Sequence, residues 1–164
     1  MFDLNLIETF KNLSPEFATF LIAMIPVTEL RASIPIALVV YELPIWSAIL
    51  FSVLGDMVPM FFVLIGVEKI YFFISKKSER CKKLFDWFFK RTENKFSGKY
   101  AKYGAIALIF FVGVPLPFTG SWSGSVAAFL FRISFYKAFP LIMAGILIAA
   151  TLVTLITLGF ITVF

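Results

Sequence analysis

Hydrophobic residues dominate this chain, and the polar positions that break them up mark where its helices begin and end. Residues 2–13 place Phe2, Leu6, Phe10 and Leu13 on one helical stripe with Asp3, Asn5, Glu8, Lys11 and Asn12 elsewhere. That pattern predicts a short helix lying in a membrane interface over 1–13. Ser14-Pro15 then supplies a capping residue followed by proline at the first helical position. The apolar run that follows stops near Pro26, about a dozen residues and ~18 Å on, roughly halfway through a ~30 Å hydrocarbon core. After Glu29-Leu30-Arg31 the chain is apolar again through Ile34–Tyr41, a second half-length piece. Segment 14–43 is thus predicted as a broken hairpin, and 44–72, opened by the turn Tyr41-Glu42-Leu43-Pro44, as an uninterrupted span.

The plan then recurs. A basic stretch, 73–102, puts Cys81, Leu84, Phe85 and Phe88 on one face among lysines, which predicts an amphipathic helix on an anionic inner leaflet. Residues 103–131 form a second broken hairpin, Arg132–Lys137 a polar turn, and 135–164 a closing span. The two interruptions read Pro26-Val-Thr-Glu-Leu-Arg-Ala-Ser-Ile-Pro35 and Pro115-Leu-Pro-Phe-Thr-Gly-Ser-Trp-Ser-Gly124, and both ends of the second lie 89 positions after those of the first. Gly55 has a near-counterpart in Gly145, 90 positions on. Broken hydrophobic segments in matching places of two halves point to an inverted-repeat transporter with its binding site where the broken helices meet. The expected fold is an all-α integral membrane protein of two inverted repeats, each a re-entrant helical hairpin plus a transmembrane helix, forming a single membrane domain.

Composition narrows the class. At 60% hydrophobic residues, 164 residues carry too little polar surface to coat a soluble globule. The acidic start, Met1-Phe-Asp-Leu-Asn-Leu-Ile-Glu, does not suit a secretory leader. One cysteine, Cys81, excludes an internal disulfide, and the lack of histidine removes His-based zinc sites and triads. No P-loop, dinucleotide glycine pattern or Ser/His arrangement is present, so an enzyme is not expected, nor any cofactor or metal. Thirteen of the fifteen Lys/Arg lie from Lys69 onward, ten of them in Lys76–Lys102, and no Asp or Glu follows Glu93. The positive-inside rule makes 73–102 cytoplasmic in a multi-pass protein of the cell membrane, and in so apolar a chain it displaces nucleic-acid binding as the reason for the charge. Re-entrant hairpins also carry Arg132 and Lys137 inside, whereas four simple spans would leave them outside.

Three ionisable residues fall at predicted membrane depth. Glu29 and Arg31 occupy the first interruption, where an ionised group is a functional hypothesis by default. The alternatives are mutual neutralisation or solvation at the interface. Asp56 lies at the centre of Ile45–Val67 with Pro59 close behind it; its bland reading is a structural partner for Arg31. Two acids and one base leave one carboxylate that must be protonated, paired with a cation or wet, the minimum equipment for proton coupling and suited to a cationic substrate. The second interruption is uncharged. Thr119, Gly120, Ser121, Trp122, Ser123 and Gly124 predict a half-helix starting near Ser121, with free N–H groups that favour an anion or polar headgroup and Trp122 available for stacking. Ordinary small-residue packing is the competing account. Pro26, Pro35, Pro115 and Pro117 complete the expected substrate-lining set.

Glu29-Leu-Arg-Ala-Ser-Ile-Pro35-Ile together with Val114-Pro-Leu-Pro-Phe-Thr-Gly-Ser-Trp-Ser-Gly124 resembles the paired motifs of the small multidrug export protein family, bacterial and archaeal membrane proteins of about this length. Gly55-Asp56 followed by Gly66, and the hairpin-plus-span duplication, are also similar to the DedA/VTT superfamily, associated with lipid translocation. That resemblance implies intramembrane charges at Glu29, Arg31 and Asp56. It departs where DedA-type proteins carry an Arg after the proline of the second hairpin and this chain has Thr119-Gly120-Ser121. The combined expectation is a small transporter in the bilayer, proton-linked, exporting small amphipathic or cationic compounds, with a homodimer expected from its size. A lipid or polyprenyl-phosphate translocase and a non-transporting membrane assembly protein are the alternatives.

The charge pattern makes a topological prediction: both termini outside, with 73–102 and 132–137 inside. Cysteine-accessibility labelling on a Cys81→Ser background checks it. An inaccessible position 3 combined with external labelling at position 134 would replace the hairpins with four full spans.

Overall fold

A computed structural model describes residues 10, 13–77, 79, 83, 99–116, 119–131 and 133–163. The interfacial helix expected over 1–13 and the core of the basic stretch 73–102 lie outside the described residues, as do Pro117 and Arg132. Among the described residues every regular element is helical: α1 (Pro15–Met24), α2 (Glu29–Pro35) continued by a π-helical turn (Ile36–Val40), α3 (Ile45–Lys77), α4 (Lys99–Gly113), α5 (Ser121–Leu130) and α6 (Phe135–Val163). Two short helices and a long one therefore occur twice in succession. Within α3 and α6, Ile45–Phe73 and Phe135–Thr162 are long and apolar enough to cross a bilayer.

The helix ends follow local chemistry. Ser14 caps α1 by accepting a hydrogen bond from the Phe17 amide at 3.4 Å, with Pro15 in the first turn as expected. Ile25 turns to extended backbone because the Pro26 ring disfavours a helical conformation in the residue before it. The break that follows is shorter than the sequence suggested. It ends at Thr28, and Glu29–Pro35, read from sequence as part of the interruption, are helical. Pro35 has no amide to donate to the preceding turn, and the helix widens directly after it, with the Tyr41 amide reaching back five residues to the Ile36 carbonyl at 3.0 Å. In the second half the break spans 114–120, and α5 begins at Ser121 as predicted. At 1.5 Å per residue α1 and α5 reach only ~15 Å, half the thickness that α3 and α6 can cross.

The short helices are seated by glycines. A Cβ on Gly55 of α3 would overlap the Phe20 carbonyl oxygen of α1 and lie 2.8 Å from Ala23 Cβ. On Gly145 of α6 it would lie 2.7 Å from Val112 Cβ and 3.0 Å from the Ile109 carbonyl of α4. The two glycines paired by sequence spacing thus do the same work, each letting a short helix pack backbone-close on the long helix of its own half. The second short helices, α2 and α5, both pack against α3 and α6 and so bring the two breaks together at the centre. Leu30, Ile34, Met60, Val112, Ile142 and Ile146 form the core around them. Outside, Phe62, Phe73, Phe110, Leu155 and Phe160 stay exposed, a surface far too apolar for water and suited to lipid.

Gly55→Val is expected to push α1 off α3 and destabilise the fold by about 2 kcal/mol, the usual range for overpacking a tight contact. Gly159→Ala, where a Cβ meets nothing within 4 Å, should be neutral. Reversible SDS unfolding of both variants reads the difference; equal stability would show that α1 does not depend on Gly55.

Candidate functional site

Glu29 opens α2 with a backbone φ of 43°, a left-handed conformation that costs a residue with a Cβ on the order of 1 kcal/mol. Its carboxylate crosses to the other half of the molecule. There it accepts the backbone N–H of Trp122 in the first turn of α5, where the free N–H groups and the helix dipole favour negative charge. The anion that the second break was expected to attract is therefore supplied by the chain itself. Gly120 makes the fit, since a Cβ there would occupy the space taken by the Glu29 carboxylate.

Arg31, two residues on, donates from its guanidinium to the Thr119 carbonyl and lies 3.8 Å from Glu29 Oε2. The loop it meets is held in shape by Thr119, whose hydroxyl lies 2.8 Å from the Val114 and Leu116 carbonyls and accepts the Leu116 amide at 3.1 Å. Ser123 reaches back to accept the Gly120 amide at 3.0 Å. Glu29 and Arg31 together bridge the tip of α2 to residues 119–122, linking positions about 90 apart in sequence.

Asp56 sits directly behind this bridge. It is 1% exposed at the middle of α3 and accepts a 2.5 Å hydrogen bond from the Ser121 hydroxyl. The bland reading of Asp56 paired it with Arg31; the hydrogen-bonding partner here is Ser121, with Glu29 and Arg31 within electrostatic range. Ser125 in turn donates to the Ser121 carbonyl at 2.7 Å. A closed cavity with about 10 Å³ of free space, room for about one water, lies between Glu29, Arg31, Asp56 and Ser121, walled by Pro115, Val112 and Ile146. On the other side of the bridge a vestibule of about 320 Å³ is lined by Pro26, Val27, Glu29, Arg31, Thr119, Trp122 and Ser123. Pro26 and Trp122 also border an apolar groove of about 580 Å³ along α3, with Pro59, Phe62, Val63 and Gly66. A further hollow of about 730 Å³, between α1 and the start of α3, contains none of these residues.

Most sequence-predicted positions thus converge: Glu29, Arg31, Asp56, Pro26, Pro115, Thr119, Gly120, Ser121, Trp122 and Ser123 each border one or both of these two neighbouring spaces. Two do not. Pro35 lies inside a helix, and Gly124 packs on Val112, where a Cβ would clash. Sequence reasoning missed the buried Ser33–Ser52 hydroxyl pair at 2.9 Å, which ties α2 to α3 one turn before Asp56. Its only signal was that Ser52 and Asp56 share a helix face. Also missed was the Trp122 indole Nε1, enclosed and without a hydrogen-bond partner among the described residues, a state that costs a buried donor about 1–3 kcal/mol.

The arrangement holds one cross-linked ion pair and, behind it, a buried carboxylate that accepts from the Ser121 hydroxyl beside space for about one water. Ionisable groups gathered this deep in an apolar chain mark the region as the candidate site. A family model described as "Putative small multi-drug export protein" matches residues 29–152. No curated protein and no solved structure matches the chain. The matched stretch begins on Glu29 itself and takes in Arg31, Asp56 and the whole second break. With its matching region covering 124 of 164 residues, the chain belongs to this small multi-drug export protein family.

Proposed function

We propose that this chain is a small membrane transporter that exports amphipathic compounds in exchange for protons, through the space between the two breaks. The observation that carries this reading is the bridge of Glu29 and Arg31 onto residues 119–122, which separates a vestibule of about 320 Å³ from the one-water cavity at Asp56. A proton with its water fits the inner cavity; an organic molecule fits only the vestibule. Protonating Glu29 removes the charge that holds it to Arg31 and to the α5 N-terminus, so the bridge loosens and the two spaces join. Asp56 then exchanges its proton across the opened bridge. Coupling follows because one set of contacts is broken by protonation and faced by the substrate.

The sequence argued for a cationic substrate from the formal minus one of Glu29, Arg31 and Asp56 together. In space the unpaired charge belongs to Asp56, behind the bridge, while the vestibule faces the paired Glu29 and Arg31. That favours amphipathic compounds in general over cations. Two short-short-long units whose breaks meet at the centre support inverted repeats with re-entrant hairpins, and the basic stretch supports a cytoplasmic 73–102. The repeats enclose little volume alone, which supports a homodimer.

Asp56→Asn keeps the shape and the acceptor for Ser121 yet removes the titratable group. In proteoliposomes its pH-gradient-driven flux of a fluorescent single-chain amphiphile is expected to fall by roughly 100-fold, with circular dichroism unchanged. Flux equal to wild type at every pH would overturn proton coupling through Asp56. Gly120→Ala, which displaces the Glu29 carboxylate, is expected to raise substrate-free proton leak, read with a pH dye trapped inside the vesicles. A leak no greater than wild type would mean that the bridge is not the barrier.

A further inference from the structure

The vestibule is walled by one anion and one cation, and the two do not use each other up. Glu29 Oε2 and Arg31 Nη2 stand 3.8 Å apart, close enough to attract and too far to hydrogen-bond. Both contacts of Arg31, to Glu29 and to the Thr119 carbonyl, are made by Nη2, so Nε and Nη1 have no partner among the described residues. The Glu29 carboxylate, able to accept about four hydrogen bonds, receives the Trp122 amide. Spare donors and spare acceptors therefore sit side by side. The Arg31 and Glu29 side chains are 26% and 10% exposed, and both line the vestibule. Pro26, Val27 and Trp122 make much of the remaining wall apolar, while Thr119 and Ser123 are occupied in holding their own loop. A ligand with one charge is drawn to one of these ions and repelled by the other; a ligand with both is drawn to both.

We infer that the vestibule is a binding site for an α-amino acid with an apolar side chain, its ammonium on the Glu29 carboxylate, its carboxylate on the Arg31 guanidinium and its side chain against Pro26, Val27 and Trp122. The inference rests on the transport reading above and names its substrate class. Spacing selects that class. The ammonium and carboxylate of an α-amino acid hang on one carbon, ~3 Å apart, and laid antiparallel against an ion pair 3.8 Å apart they complete a ring of four alternating charges. Charges set further apart along a chain, as in phosphoethanolamine, match one end at a time. Size agrees, because about 320 Å³ stands at the lower end of the ~300–1,000 Å³ range of small-molecule sites, and an apolar wall with a few convergent polar groups is their usual composition. The ligand thereby engages the two side chains that close the bridge.

Scintillation proximity binding of tritiated leucine to the full chain in nanodiscs tests this, with unlabelled competitors that each remove one feature. Leucine is expected to bind saturably. Isoamylamine, which lacks the carboxylate, isocaproate, which lacks the ammonium, and phosphoethanolamine, whose charges are further apart, should each compete at least about tenfold more weakly. Glycine, without the apolar side chain, should also be about tenfold weaker. Glu29→Gln is expected to abolish the advantage of leucine over isocaproate, and Arg31→Gln its advantage over isoamylamine, ratios that a merely structural role would not move. Val27→Glu disturbs the fold least, since Val27 is 76% exposed in the first break, and it decides where the other two variants fail to fold. Its added anion should shift competition toward isoamylamine and away from isocaproate by roughly fivefold. No saturable leucine binding, any of the four competitors as tight as leucine, or an unchanged ratio in Val27→Glu would each overturn the site. Binding is measured without a pH gradient, so its failure leaves the Asp56-dependent flux standing. Loss of pH-driven flux in wild type with these affinities intact would instead sink the coupling and spare the site.

Discussion

A helix that stops among apolar side chains leaves backbone donors and acceptors that need partners, and this chain breaks its helices twice at its centre. Everything at its centre answers that constraint. The open N-terminus of α5 receives the Glu29 carboxylate on the Trp122 amide and the Ser123 hydroxyl on the Gly120 amide. The carbonyl of Thr119, left facing inward by the break, receives Arg31. Each half supplies what the other lacks: charged side chains from the first break, free backbone groups from the second. The same pairing that satisfies the broken backbone lies between the vestibule and Asp56, so the contacts that hold the two breaks together are those the proposed transport cycle would open.

Close approach is what makes that pairing reachable. Gly55 and Gly145 let α1 and α4 settle against the long helices, and α2 and α5 are then carried inward until their breaks face each other. Gly120 removes the last obstacle to the Glu29 carboxylate. Without a hydrophobic drive between helices in lipid, such small-residue contacts and the hydroxyl pairs Ser33–Ser52 and Ser121–Asp56 supply the attraction that elsewhere comes from burying apolar surface. Met60, Ile34, Val112 and Ile146 fill the core around the polar groups, leaving between those groups room for about one water.

Charge placement separates two jobs that the sequence ran together. Glu29 and Arg31 oppose each other at the bridge, while Asp56 lies behind it with a hydroxyl and space for one water. In the proposed function, proton and substrate would approach these contacts from different sides. The cost of burying an ion pair is met here by backbone partners on both ions, without which the pair would not hold its charge.

The sequence by itself determined what depends on neighbours along the chain. The lengths of the apolar runs announced α3 and α6, Ser14-Pro15 announced α1, Pro26 and the Pro115–Gly120 stretch announced the breaks, and the glycine-serine run announced a half-helix from Ser121. The charged residues at depth named themselves by the expense of putting them there. The tertiary structure decided the rest. That Pro35 would be absorbed by a π-helical turn, that Asp56 would bond Ser121 rather than Arg31, and that the anion at the α5 N-terminus would be Glu29 all depend on atoms brought together from opposite halves of the chain. Local pattern records the need for a partner, a carboxylate in hydrocarbon or an uncapped amide. Which partner answers is set by packing, and packing joins residues 65 to 90 positions apart that share no local signal.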